Sequence, residues 1–246
     1  MIHFQAVTKS FGPTVVLDRL DLEIPTGRTT VIIGRSGCGK SVLLKHVVGL
    51  QRPDAGRVTV DGAVVHELDP EDLERLRFRV GYVFQFAALL DSLSVGDNIR
   101  LGLRRRGLPP GEIERRMRES LAVVGLEGNE HRYPAALSGG MRKRVGVARA
   151  VALRPDYILF DEPTTGLDPI TTASLDELML RARRELGATC VVISHDMKSV
   201  FTVADRIALL HHGRIRQVGA VDEIRTSDDP VVRAFLEGRP ERVETA

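Results

Sequence analysis

The stretch GRSGCGKS, residues 34–41, follows the apolar run TTVII (29–33) and precedes VLLKHVVGL (42–50). A short apolar run, a glycine-rich turn and a helix-like pattern in this order are typical of strand–loop–helix units that bind phosphate. The glycines allow backbone N–H groups to converge on phosphate oxygens, and the following helix adds the positive end of its dipole. The predicted phosphate site consists of Gly34, Arg35, Ser36, Gly37, Cys38, Gly39, Lys40 and Ser41.

This motif alone leaves several interpretations open. A glycine-rich turn that binds nothing is one, and kinases, GTPases and many ATPases share the spacing. If the loop binds a nucleotide, Lys40 supplies a point charge to the β- and γ-phosphates, and the Ser41 hydroxyl ligates Mg²⁺. The Cys38 thiol lies beside Lys40 and close to a helix start, so we expect its pKa to be lowered.

Apolar runs of similar length recur along the chain and indicate the fold class. Short continuous runs favour strands that are covered on both faces. They are VGYVFQ (80–85), YILF (157–160), TCVVIS (189–194) and RIALL (206–210). Residues 2–8, 15–24 and 57–66 instead have the pattern of strands joined by turns. We predict an α/β protein with a mainly parallel core sheet and an N-terminal antiparallel β subdomain.

The pattern becomes helical between about residues 86 and 150. Ile113, Met117, Leu121 and Val124 stand at helical spacing in this part of the chain. We therefore predict an inserted helical subdomain within a single domain spanning 1–246, with a C-terminal tail from about 226 to 246.

Bulk properties narrow the range of partners. The net charge is only +2, which gives no general reason to expect a nucleic-acid partner. No segment reaches the roughly 18 apolar residues that span a bilayer, and we expect a cytoplasmic chain. Cys38 and Cys190 have no metal-ligand spacing, so we expect both to be reduced.

Two further stretches suit phosphoryl chemistry. YILFDE (157–162) ends in Asp161, placed to hold Mg²⁺, and Glu162, placed to polarise an attacking water. The alternative is that these carboxylates cap the following helix. LSGGMRKRVGVARA (137–150) puts Ser138, Gly139 and Gly140 at a helix start, which predicts a second anion-binding surface.

With LSGG following the phosphate loop, the chain resembles the ATPase subunit of an ATP-binding cassette (ABC) transporter. The family signature is LSGGQ, and Met141 here takes the place of glutamine. Further family motifs match in order over about residues 2–225. They are an adenine-stacking aromatic at Phe11, the Q-loop glutamine at Gln85, the D-loop aspartate at Asp168 and the switch histidine at His195. Each of the four has a structural alternative. Phe11 could be a core side chain and Gln85 a polar residue at the end of a strand. Asp168 could be a helix cap and His195 a structural histidine.

The resemblance implies ATP and Mg²⁺ as ligands and a head-to-tail homodimer. Each ATP would be held between the phosphate loop of one copy and Ser138, Gly139 and Gly140 of the other. Closing on ATP and reopening after hydrolysis would drive transport. The implied roles are phosphate binding by Lys40, Mg²⁺ binding by Ser41, Gln85 and Asp161, water activation by Glu162 and γ-phosphate sensing by His195.

Local stretches also resemble one branch of the family, the ATPases of Mla-type lipid transport systems that work with Mce-domain proteins. These stretches are ALLDSLSV (88–95), LSGGMRKRV (137–145), TTGLDPITTASLDEL (164–178) and FLEGRPE (235–241). The resemblance implies a phospholipid cargo and a peripheral position on the cytoplasmic face of the inner membrane. The implied partners are a membrane permease, an Mce-domain protein and a small STAS-domain protein.

Other functions remain open on the sequence. An ABC importer or exporter of another small solute would share every motif above. A soluble non-transport ABC ATPase would need long coiled-coil insertions or a second cassette, and the chain has neither. A GTPase or small-molecule kinase would share GRSGCGKS but would not explain LSGG, and no NKxD motif occurs.

Overall fold

A computed structural model describes residues 1–239, and residues 240–246 lie outside the described part. The end of the FLEGRPE stretch and of the predicted tail therefore falls outside it. The described chain divides into two compact units. The first unit comprises residues 1–68 and the described residues from 193 onward, and the second comprises Asp69–Val192.

The elements follow the predicted alternation of strands and helices. The strands are β1 (Ile2–Phe11), β2 (Thr14–Ile24), β3 (Thr29–Ile33), β4 (Ala55–Val60), β5 (Ala63–Val64), β6 (Val80–Val83), β7 (Tyr157–Asp161), β8 (Thr189–Ile193), β9 (Arg206–His211) and β10 (Arg214–Ala220). The helices are α1 (Lys40–Val47), α2 (Pro70–Phe78), α3 (Val95–Arg105), α4 (Pro110–Val123), α5 (Gly139–Ala152), α6 (Pro169–Leu186), α7 (Met197–Val203), α8 (Val221–Arg225) and α9 (Pro230–Leu236).

The first unit contains an antiparallel sheet with the strand order β2-β1-β4-β5. Ile2 pairs with Ile24 on one side and with Val60 on the other, and all three side chains are buried. The predicted strands at 2–8 and 15–24 are confirmed. The predicted stretch 57–66 forms part of β4, all of β5 and the start of a short 3₁₀ helix (Val65–Glu67).

The first unit also contains the strands β10, β9 and β3 in that order. β3 runs parallel to β9, and every residue of β3 is buried, which explains its uninterrupted apolar sequence. β10 runs antiparallel to β9. Only one residue of β10 is buried, so its sequence RIRQVGA lacks the apolar run by which the other strands were predicted.

The second unit carries the strands β8, β7 and β6 in that order, with β6 parallel to β7. Helices α3, α4 and α5 pack against one another in the range predicted to be helical. Ile113, Met117, Leu121 and Val124 are all buried, as their spacing predicts. The predicted α/β class, with an antiparallel sheet and a mainly parallel set of core strands, is confirmed.

In the described part of the chain, we find no helix that combines the length and the apolar character needed to cross a bilayer.

Candidate functional site

The loop between β3 and α1 depends on glycine at two of its positions. At Gly34 the backbone φ is +152°, and an added Cβ would lie 2.4 Å from the Leu210 carbonyl oxygen. At Gly39 φ is +102°, and an added Cβ would lie 2.6 Å from Cγ1 of Val16. A side chain at either position would therefore push the loop out of its curve.

Lys40, the first residue of α1, brings a buried positive charge to this loop. Its side chain is buried, and Nζ donates to the carbonyl oxygens of Gly34, at 2.8 Å, and Arg35, at 2.9 Å. The ammonium group is thus held in the curve of the loop. Gly39 precedes α1 and has no side chain with which to cap it, so the helix start offers N–H groups to an anion. This arrangement fits a phosphate group.

The predicted lowering of the Cys38 pKa is wrong. Burial disfavours the thiolate and raises the pKa of Cys38, and this effect exceeds the opposing charge of Lys40. The half-buried Sγ also lies close to Gly34, where an added Cβ would be 2.9 Å away. Both observations favour a packing role for Cys38 in the loop over that of an activated thiolate.

A cleft of about 300 Å³ lies beside the loop. Its walls are residues 14–16, residues 35–38 and residues 210–213. Phe11 is not among the lining residues. It is 45% exposed, and Nζ of Lys9 lies 5.5 Å from its ring centroid. The adenine-stacking role of Phe11 stays a prediction.

His195 also belongs to the first unit. It stands just after β8 and is exposed to solvent. The next residue, Asp196, caps α7 by accepting hydrogen bonds from the backbone N–H groups of Lys198, at 3.0 Å, and Ser199, at 3.3 Å. This cap fixes the chain direction at the histidine.

In the second unit, Asp161 ends β7 and is only 8% exposed. The Tyr82 hydroxyl, on β6, donates to Oδ2 of Asp161 at 3.1 Å. Burial and the charge of Asp161 both raise the pKa of Tyr82, which keeps the phenol protonated and able to donate. Tyr82 was not among the predicted site residues. The available signal was a lone hydroxyl within an otherwise apolar run, but its pairing with the YILF strand is seen only in the structure.

Glu162 follows in a backbone conformation that is unusual for its side chain, with φ of +47°. Its Oε2 accepts a hydrogen bond from Oγ1 of Thr165 at 2.9 Å. The next helix, α6, begins only at Pro169 and is capped by Asp168. The helix-capping alternative therefore applies to Asp168 and not to Glu162.

Asp168 makes this cap with both carboxylate oxygens. Oδ1 accepts from the backbone N–H groups of Ile170, at 3.0 Å, and Thr171, at 2.9 Å. The hydroxyl of Thr171 donates to Oδ2 at 2.5 Å. These bonds, with the Thr171 hydroxyl first, lower the pKa of Asp168 and keep it ionised at neutral pH. Its D-loop role stays a prediction.

The LSGG stretch begins α5. Ser138 caps this helix, with Oγ accepting from the backbone N–H of Met141 at 3.2 Å. Ser138 and Gly139 are exposed, so the helix start faces solvent. An added Cβ at Gly140 would lie 2.8 Å from Cγ2 of Thr171, which favours glycine there. The predicted second anion-binding surface is thus an exposed helix start.

Further along α5, two basic side chains hold the backbone of other segments. Nζ of Lys143 donates to the carbonyl oxygens of Pro163, at 2.6 Å, and Thr165, at 2.5 Å. Burial lowers the pKa of Lys143, although the charge of Glu162 opposes the shift. Lys143 was not among the predicted site residues, because nothing in LSGGMRKRV distinguishes it from its basic neighbours.

The second of these side chains is Arg149. Its guanidinium donates to the carbonyl oxygens of Ala87, at 2.9 Å, and Ala88, at 2.6 Å. Both alanines have positive φ, +59° and +46°. Gln85 stands two residues before Ala87, just after β6, so Arg149 braces the strained turn next to the predicted Q-loop glutamine.

A cavity of about 590 Å³ in the second unit lies away from these residues. It is lined by the second half of α4, the end of α5 and the last turns of α6. None of the predicted site residues lines it. This cavity is therefore separate from the predicted site.

Comparison with known sequences decides the family. The sequence profile described as "ABC transporter" matches residues 17–165. This chain belongs to the ABC transporter family. The match extends from β2 through the phosphate loop and the LSGG stretch to Thr165. The family binds ATP together with Mg²⁺ and hydrolyses it, so the chain is an ATP-hydrolysing subunit of a transport system.

Named relatives cover almost the whole chain. It is 40% identical over 239 residues to "Probable ribonucleotide transport ATP-binding protein mkl" of Mycobacterium tuberculosis, which covers 97% of this chain and 67% of that protein. It is 43% identical over 228 residues to "Methionine import ATP-binding protein MetN" of Xanthomonas euvesicatoria, covering 91% of this chain and 68% of that protein. These names differ in the transported compound.

Among solved structures, the fold matches the ATP-binding cassette MJ0796. That protein was solved as a dimer in a post-hydrolysis state bound to ADP and Pi. The TM-score is 0.82 at 32% identity, over 90% of this chain and 99% of the other. A second match is cbiO1 of Clostridium perfringens, part of the ABC transporter complex cbiONQ, with a TM-score of 0.84 at 27% identity, over 96% and 94% of the two chains.

Proposed function

We propose that two copies of this ABC ATPase enclose ATP head to tail and power a membrane permease. The observation that carries the proposal is that each of the two predicted anion-binding motifs lies at the start of a separate helix. The first is α1 behind the phosphate loop, and the second is the exposed start of α5 at Ser138. Two such surfaces in one chain are explained if the second contacts the nucleotide held by the partner copy. The dimeric state of MJ0796 supports this arrangement.

Within this proposal the predicted residues keep their roles. Lys40 neutralises the β- and γ-phosphates. Ser41, Gln85 and Asp161 would hold Mg²⁺, which would neutralise charge on the phosphates. Tyr82 orients the Asp161 carboxylate through its hydrogen bond. His195 contacts the γ-phosphate, Phe11 stacks on the adenine, and Asp168 is the D-loop residue.

Glu162 is the proposed general base. Its carboxylate accepts a proton from a water molecule as the water oxygen bonds to the γ-phosphorus, the bond to the β,γ-bridging oxygen breaks, and ADP and phosphate form. The Thr165 hydroxyl donates to Oε2 of Glu162 at 2.9 Å and so helps to orient the carboxylate. The positive φ of Glu162 sets the direction of this side chain.

The test of this role is Glu162→Gln, with Glu177→Gln as the matched control. Glu177 is an exposed glutamate on α6. We expect Glu162→Gln to bind ATP and dimerise while turnover falls by about 10²–10⁴, because a general base contributes that much to rate. The control should keep its turnover. Turnover of Glu162→Gln equal to the wild type would remove Glu162 from the assigned role.

We also propose that the transported compound is a lipid, moved with an Mce-domain partner. The support is the resemblance of residues 88–95, 137–145 and 164–178 to ATPases of Mla-type systems. The chain would then sit on the cytoplasmic face of the inner membrane, bound to its permease. A small STAS-domain protein is a further proposed partner.

Import of another solute is the second candidate, favoured by the 43% identity to a methionine import ATPase. One experiment separates the two: capture of the ATP-trapped Glu162→Gln subunit from detergent-solubilised native membranes, followed by mass spectrometry of proteins and lipids. A permease with an Mce-domain protein and bound phospholipid is expected. A permease with a solute-binding protein would replace the lipid assignment, and capture without any permease would contradict both.

A further inference from the structure

Lys143 connects α5, the helix that begins in the LSGG stretch and is called the signature helix below, to the loop that follows Glu162, the proposed general base. It lies on α5, five residues after Ser138, which is a rise of about 7.5 Å along the helix. Its Nζ donates to the carbonyl oxygens of Pro163, at 2.6 Å, and Thr165, at 2.5 Å. A cation that donates to two carbonyl oxygens holds both peptide groups more firmly than a neutral donor would.

The held segment is the one that orients Glu162. Oγ1 of Thr165 donates to Oε2 of Glu162 at 2.9 Å, so fixing the Thr165 backbone also fixes this hydroxyl. The backbone N–H of Thr165 returns to the Glu162 carbonyl oxygen at 3.3 Å, which closes a tight turn. Glu162 itself is held at φ of +47°, a conformation that persists only when its surroundings enforce it.

We infer that Lys143 is a positioning residue, which holds the Glu162 carboxylate in its working orientation from the signature helix. The inference rests on the proposed role of Glu162 as general base. Lys143 itself contacts neither water nor phosphate in this scheme. Lys143 contributes by keeping the Glu162 carboxylate oriented before the proton is transferred. The entropic cost of ordering the carboxylate is then not part of the activation barrier.

The contact between Lys143 and the loop after Glu162 would also connect the two nucleotides of the proposed dimer. In the proposed dimer, Ser138 contacts the nucleotide of the partner copy, whereas Glu162 acts on the nucleotide of its own copy. Through α5 and Lys143, the contact that Ser138 makes with the partner copy's nucleotide is therefore connected to Glu162, which acts on the chain's own nucleotide.

The test compares Lys143→Met, which removes the donor, with Lys143→Arg and Lys143→Gln, which keep donor groups. Arg118→Met, which removes an exposed cation from α4 of the same unit, is the matched control. We expect Lys143→Met to lower kcat by about 10- to 100-fold with KM for ATP changed by less than about twofold. Lys143→Arg should recover most of kcat, Lys143→Gln part of it, and the control should equal the wild type.

A double-mutant cycle separates positioning from a merely structural effect. If Lys143 acts through Glu162, Lys143→Met should cause no further fall in kcat in the Glu162→Gln background. A further fall as large as in the wild-type background would refute the inference, as would normal kcat in Lys143→Met. If Lys143→Met does not fold, as judged by thermal unfolding, kcat of Lys143→Gln equal to the wild type would refute it instead.

The two proposals fail in different ways. Full turnover in Glu162→Gln would overturn the proposed general base and the inference with it. Loss of turnover in Glu162→Gln together with normal turnover in Lys143→Met would overturn only the inference.

Discussion

Replacing Gly34 by alanine should damage the phosphate loop, because the added methyl group would meet backbone atoms. Its Cβ would lie 2.4 Å from the carbonyl oxygen of Leu210 and 2.9 Å from Sγ of Cys38. Ordinary contact between such atoms begins near 3.4 Å. The loop or β9 would therefore have to move by about 1 Å to relieve the overlap.

The expected magnitude combines two costs. A residue held in a sparsely populated backbone conformation costs about 1–3 kcal/mol, and φ at Gly34 is +152°. Forcing extra volume into a packed site typically costs a further ~1–3 kcal/mol. We expect Gly34→Ala to lower the free energy of unfolding by about 2–6 kcal/mol. ATP binding should also weaken, because the displaced carbonyl groups are those that hold Lys40.

Gly37→Ala is the matched control for the overlap. Gly37 lies in the same loop with φ of +79°, but an added Cβ there would have no atom within 4 Å. Gly37→Ala should lower the free energy of unfolding only by the cost of holding alanine at a positive φ, about 1–2 kcal/mol. The assays are urea unfolding of both variants and titration with a fluorescent ATP analogue. Equal losses in the two variants, or a Gly34→Ala protein as stable as the wild type, would refute the role of the overlap.

Two further predictions concern other buried groups. Tyr82→Phe removes a donor to Asp161, so the Mg²⁺ concentration for half-maximal ATPase activity should rise about tenfold, and an unchanged Mg²⁺ titration would contradict this. His46 is buried with Nδ1 2.6 Å from the Val42 carbonyl oxygen, while Nε2 has no hydrogen-bond partner among the described residues. Burial lowers the pKa of His46 below 6.5. As the pH falls, the imidazole is therefore protonated in the unfolded chain before it is protonated in the folded chain. Keeping His46 neutral costs nothing above pH 6.5, but it lowers the free energy of unfolding as the pH falls below that value. Urea unfolding at pH 7.5 and 5.5 should show a smaller loss of stability for His46→Leu than for the wild type, and an equal loss would exclude His46 as a source of acid sensitivity.

The phosphate loop shows which features can be predicted from short stretches of sequence. The strand at 29–33 and a helix directly after the glycine-rich turn follow from local backbone preferences, and both are present in the structure. The start of α5 at Ser138 is of the same kind. The family follows from the order of such motifs along the chain, and the matching profile confirms it.

Contacts between distant segments could not be predicted in this way. Tyr82 meets Asp161 across two strands separated by 79 positions in sequence, and Lys143 reaches a loop 20 positions further on. Lys143 stands among other basic residues, and the sequence does not show which strand lies beside Tyr82, so only the packing of the strands and helices selects these contacts. The transported compound is a related case, because the residues proposed to bind nucleotide carry no information about cargo.

The sequence by itself determined the fold class, the ABC family and the positions of the glycine-containing helix starts, because each depends on residues that are adjacent or one turn apart. The tertiary structure alone decided which side chains orient Asp161 and Glu162, because those contacts depend on which elements become neighbours. It also decided the direction of the Cys38 pKa shift. Proximity to Lys40 is visible in the sequence, but the burial that outweighs it arises only when β2, β9 and the phosphate loop pack together.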